Sequence, residues 1–192
     1  MSTPGQADPA KLVISLVMKD KKIINRILYL LEDSFGDIDI ISNWFNFDYT
    51  DYYYKEMGSP LFRRVIVFKK LIAQKKLADI KEITNSFEKK WEKNKKRSIN
   101  IDPGYLLLSR FILATGKDYS HRIYLDKGIY ADLTLIYKHG AYSPLEWTYP
   151  DYASDEMLKF LKKTRQKYAL DLKNMKPKNC KRHFKPFHNN SQ

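Results

Sequence analysis

Residues 100–132 read NIDPGYLLLSRFILATGKDYSHRIYLDKGIYAD, and the fold turns on how this stretch is divided into helix and strand. Asp102-Pro103 has the chemistry of a helix start, an acidic cap followed by a proline at the first helical position. On that reading Tyr105 to Ala114 is a buried helix stopped by Gly116. The competing reading of the same apolar run is a strand. If it is a helix, its free N–H groups and partial positive charge make an anion seat.

The end of the stretch is clearer. His121 to Leu125 and Ile129 to Tyr137 alternate in polarity on either side of Asp126-Lys127-Gly128, and a glycine there suits a tight hairpin turn. Alternation sets Arg122, Tyr124, Tyr130 and Asp132 on one face of the hairpin. Arg122 and Asp132 then form either a cross-strand ion pair or a ligand site in which Arg122 forks onto a phosphate or carboxylate. In the second case Asp132 handles a proton or a metal. His121 sits beside Lys117 and Asp118, and histidine as a residue type can take up or release a proton near neutral pH, which makes it a candidate acid or base. Gly116-Lys117 echoes the end of a phosphate-binding loop. The pattern fails because Phe111 stands where its first glycine belongs and Asp118 replaces the Ser/Thr.

Upstream, Lys11 to Met18 (KLVISLVM) is an apolar run suited to a strand buried on both faces. Asp20 caps a helix carrying Ile23, Ile27 and Leu31, and Gly36 stops it. Asp37 to Ser42 reads as a strand, and Tyr49 to Pro60 as a tyrosine-rich loop. In the strand Arg63 to Phe68, Arg63 and Arg64 point to opposite faces. Leu77, Ile80, Ile83, Phe87 and Trp91 mark one stripe of a second helix. The charge run after Trp91 reads as a solvated helix end. Ser98 to Ile101 closes a β-α-β-β-α-β order. Downstream, Tyr142 to Tyr152 is an aromatic loop whose Trp147 can stack on a ring, and Ser154 caps a C-terminal helix.

These readings predict a two-layer α+β fold with a mixed or antiparallel sheet, a ferredoxin-like start, an added hairpin and a C-terminal helix. Residues 1–10 are expected to be a disordered leader, 11–173 one domain, and 174–192 a basic, disordered tail. The 192 residues carry a net charge of +13. From Lys159 onward 11 Lys/Arg face a single acid, Asp171, so the charge is concentrated at the C-terminal end. Such asymmetry suits a polyanion. The longest apolar run falls short of the roughly 18 residues needed to cross a bilayer. With one cysteine, Cys180, and no basic-then-apolar leader, a cytoplasmic location without membrane partners is expected. Cys180, His183 and His188 lack a fourth ligand, so no metal site is expected.

Four segments resemble the bacterial DUF4416 family: YYYKEMG (52–58), NIDPGYL (100–106), HRIYLDKGIYADLTL (121–135) and WTYPDY (147–152). Some members carry a GTP-binding label. The family is uncharacterised, so the resemblance assigns no catalytic residue. The residues themselves favour binding of a phosphorylated small ligand, with nucleotides in that class. Arg63, Arg64, Lys117 and Arg122 would supply charge, Tyr124, Tyr130 and Trp147 ring surfaces, and His121 and Asp132 any proton transfer. Cofactor and reaction stay open. The alternative is a nucleic-acid-binding module that uses the basic C-terminal end.

Overall fold

The computed structural model describes residues 1–49, 53–92 and 96–175. In chain order the elements are β1 (Ala10–Met18), α1 (Ile24–Phe35), β2 (Ile38–Ile41), β3 (Phe45–Phe47), the single turn α2 (Tyr54–Met57) and β4 (Leu61–Ile72). Then come α3 (Leu77–Lys90), β5 (Ile99–Leu106), β6 (Arg110–Thr115), β7 (Arg122–Asp126), β8 (Ile129–Lys138), β9 (Ala141–Pro144) and α4 (Asp155–Met175). The nine strands form one sheet in the order β2-β4-β1-β5-β6-β8-β7, with β3 added to β4 and β9 to β8. Every pairing is antiparallel.

The apolar run read as a doubly buried strand is β1, at the middle of the sheet, with all nine residues buried. Leu12, Ile14, Leu16 and Met18 join Ile27, Leu31, Ile80 and Phe87 in the core beneath α1 and α3. On the opposite face Val13, Val65 and Val67 pack with Met157, Leu161 and Tyr168 of α4. Helices therefore cover both faces and make three layers. The expectation of two fails because α4 has an apolar stripe of its own, which needs a sheet face to bury it.

Three other boundaries move. Residues 102–106 are strand, not the start of a helix, and Leu107 to Ser109 form the turn into β6, closed by Leu107 N–H to Arg110 O at 2.9 Å. The local cap signal at Asp102-Pro103 is outweighed by pairing with β1, where Asp102 lies opposite Ser15 and Pro103 opposite Ile14. Asn174 and Met175 belong to α4, and the rest of the basic end lies outside the described residues, as do Cys180, His183 and His188. At the other end, residues 1–9 carry no helix or strand, yet the Pro9 carbonyl accepts a hydrogen bond of 2.6 Å from Tyr168. Among the described residues no helix is long and apolar enough to cross a membrane.

Lys11 stitches first strand to last helix. Its side chain is fully buried on the α4 face, and Nζ reaches Asp39 at 2.5 Å and Asp171 at 2.6 Å. Burial pushes the Asp171 carboxyl up, but hydrogen bonds from Lys11 and Lys167 outweigh it and leave the group below its usual range. A depressed carboxyl stabilises the fold above its unfolded pKa and ceases to do so as pH falls through the folded value. Lys11→Ala, which leaves Lys167 alone between Asp39 and Asp171, is expected to cost about 3 kcal/mol in urea unfolding. The gap in stability between wild type and Asp171→Asn is expected to hold above about pH 5 and to shrink as pH falls below about 4.

Candidate functional site

The sheet is not continuous across β5 and β6. Gly104, Tyr105 and Leu106 pair with Leu113, Ile112 and Phe111, and pairing stops there. A Cβ at Gly104 would lie 2.3 Å from the Ile112 carbonyl oxygen, so only glycine lets the strands meet at this crossing. The next residue back, Pro103, has no N–H to continue the ladder. Ile101 shares its edge by the two-residue alternation of a strand, and helix α3 takes over there. Glu88 accepts the Ile101 N–H at 2.6 Å, and Lys81 donates to the Ile101 carbonyl at 2.9 Å. Two side chains, two turns apart on α3, thus stand in for the missing strand. Burial pushes the Glu88 carboxyl up, against Lys81 and the Ile101 N–H.

Between the parted strands lies a cleft of about 530 Å³. One wall is a chain of polar contacts. Arg97 forks onto Glu56 through Nε at 2.7 Å and Nη2 at 2.8 Å, while its Nη1 reaches Asn100 at 3.0 Å and Glu88 at 3.3 Å. Asn100 donates to Asp102 at 2.5 Å, and Lys81 approaches the other Asp102 oxygen at 3.3 Å. The fork from Arg97 holds the Glu56 carboxyl below its ordinary range.

The facing wall comes from β6, β8 and the residues after β6. Arg122 meets Asp132 at 2.9 Å through Nε and the Lys117 carbonyl at 3.0 Å through Nη1. Asp132 also accepts from Thr134 at 3.2 Å. This wall is the cross-strand ion pair, with Arg122 directly opposite Asp132 in the register.

On the floor, Arg63 is 4% exposed and lies between the rings of Phe47 and Tyr152, at 4.8 and 4.5 Å from their centroids. Its Nη2 pairs with Asp151. Its Nε and Nη1 have no hydrogen-bond partner among the described residues, nor do the buried Ser15 and Tyr152 hydroxyls. Ser15 lies alongside Tyr152 without hydrogen-bond geometry. Burial works against the Arg63 charge, but the carboxylates of Asp151 and Asp102 favour it and keep the guanidinium ionised. Burial pushes the Tyr152 and Tyr53 hydroxyls well up, so both stay protonated and able to donate.

The cleft thus gathers Arg63, Lys117, Arg122 and Asp132 from the residues the sequence singled out. The others lie elsewhere. Arg64 points to the opposite sheet face, with its guanidinium 4.8 Å over the Trp44 ring. Tyr124 and Tyr130 pack edge to face at 5.4 Å on the hairpin. His121 stacks on Trp147 at 4.7 Å, with Nε2 3.4 Å from Asp132. The Trp147 indole N–H donates to the Leu133 carbonyl at 2.8 Å. Ser15, Lys81, Glu88, Arg97 and Tyr152 went unnoticed in the sequence. Ser15, a lone hydroxyl inside an apolar strand, was the one readable signal among them. A second hollow of about 480 Å³ between α1 and the end of α3 is lined by Arg26, Tyr29 and Trp91, with no acid among its lining residues. Among the described residues no cluster of His, Cys, Asp and Glu has the form of a metal site.

The chain is thus an α+β protein with a polar cleft opened in an antiparallel sheet. It belongs to DUF4416, a domain of unknown function whose family pattern matches residues 8–168. No curated protein and no solved structure matches it.

Removing Glu88 strands the Ile101 amide. Glu88→Ala is expected to lower stability by about 2 kcal/mol and to speed exchange of the Ile101 amide by about tenfold or more, read residue by residue by NMR.

Proposed function

We propose that the cleft between β5 and β6 binds a phosphorylated small molecule, with Arg63 as the anion seat. The observation that carries this reading is the Arg63 guanidinium, held on the cleft floor with Nε and Nη1 unpaired among the described residues. A buried donor left unpaired costs about 1–3 kcal/mol, more when charged, and an oxyanion removes that cost with charge-assisted bonds. The protonated Tyr152 hydroxyl adds a donor beside it. A volume of about 530 Å³ suits a metabolite-sized ligand. Tyr149, an exposed ring at the cleft, offers a stacking face, so nucleotides fall within the class. Arg122 and Asp132, already paired, shape the wall.

The strand order β2-β4-β1-β5, antiparallel throughout with α1 and α3 on one face, supports the finer reading of residues 10–106 as a ferredoxin-like unit extended by β6 to β9. A cytoplasmic site of action fits the single cysteine of the chain.

Isothermal titration against a panel of phosphorylated metabolites tests the reading. Binding is expected for wild type and is expected to disappear in the double variant Arg63→Met/Asp151→Asn, which removes the pair together and leaves no orphaned charge. A panel with no binder, or a double variant that binds like wild type, overturns it.

A further inference from the structure

The charges around the cleft are nearly balanced. Five cations line it: Arg63, Lys81, Arg97, Lys117 and Arg122. Four acids line it too, Glu88, Asp102, Asp132 and Asp151, and Glu56 adds a fifth by gripping Arg97. Sites for polyphosphates work by excess positive potential, and this cleft has little. Its acids also differ in what they can still do. The side chains of Asp151, Asp132 and Glu88 are 8%, 10% and 10% exposed, and each is engaged by an arginine. Asp102 is 26% exposed. Its two oxygens take one contact each, from Lys81 and Asn100, where an ionised carboxylate offers about four acceptor positions. An open acceptor therefore stands in the hollow that Arg63 lines, close enough for Asp102 to bear on the Arg63 charge.

We infer that the ligand is a zwitterion, a phosphomonoester that also carries an ammonium group, with the phosphate at Arg63 and the ammonium at Asp102. This narrows the phosphate reading above and rests on it. A cation at Asp102 completes that carboxylate without disturbing Lys81 or Asn100. A ligand of one or two negative charges with a compensating amine also leaves the cleft balanced. A nucleoside triphosphate brings several negative charges into a hollow where Arg63, Lys81, Arg97 and Arg122 already have acids beside them.

Matched pairs that differ only in the amine test this by isothermal titration. The pairs are glucosamine 6-phosphate against glucose 6-phosphate, and phosphoethanolamine against 2-hydroxyethyl phosphate. In at least one pair the amine is expected to bind about tenfold tighter, with GTP weaker than both. The difference is expected to vanish in Asp102→Asn, checked for folding by circular dichroism. On wild type alone, N-acetylglucosamine 6-phosphate, which has lost the charge, is expected to bind like glucose 6-phosphate. Equal affinities within both pairs, tightest binding by GTP, or a difference that survives Asp102→Asn overturns the zwitterion and leaves the phosphate seat standing. If neither member of either pair binds, the seat falls and the zwitterion with it.

Discussion

Proline has no amide hydrogen, and at Pro103 that absence decides where the sheet can be closed. On the β1 side the strand runs unbroken from Ile99 to Leu106. On the other side it joins β6 over three residues, and the two then part. Gly104 permits the close crossing and Pro103 ends it. An opened sheet edge exposes backbone groups that must be satisfied elsewhere. Lys81 and Glu88 meet that need, and because they are charged, the gap is walled by ions instead of apolar side chains. The polarity of the cleft therefore follows from a backbone requirement before any ligand is considered.

The buried polar residues have the same origin. Arg97 and Asn100 neutralise and orient the acids that the opened edge brings in, and Arg63 and Asp151 do the same on the floor. Buried ion pairs of this kind are poor sources of net stability compared with apolar packing. A chain with apolar cores on both sheet faces has no need of so many for folding alone. Such expense is ordinary where a surface must meet a polar ligand.

Much of the architecture was legible in local patterns. The hairpin of β7 and β8 is set by its turn, where Lys127 and Gly128 adopt φ of 55° and 73°, the paired left-handed conformations that a tight two-residue turn requires. Alternation correctly divided Arg63 from Arg64, because a half-buried strand has a strict period of two. The fault at Asp102-Pro103 has an equally physical origin. An acid before a proline opens helices and also fits a strand whose far edge is unpaired, and only β1, some 90 residues away, decides between them. Lys81, Glu88 and Arg97 were hidden for another reason. On a helix face and in the charge run behind it, they have the composition of a solvated surface, and their burial depends on a sheet edge that no local window contains. His121 and Trp147, read separately as an acid or base and as a stacking surface, stack on each other instead.

Contacts between Lys11 and Asp171, and between Pro9 and Tyr168, span 160 and 159 residues. During synthesis the chain emerges from its N-terminal end, so β1 is available long before its last partner exists. Until α4 leaves the ribosome, Val13, Val65 and Val67 present a bare apolar surface, and Lys11 lacks one of its two carboxylates. Between the emergence of β8 and that of α4 the nascent protein is thus a sheet covered on one face only, with apolar surface open to wrong partners.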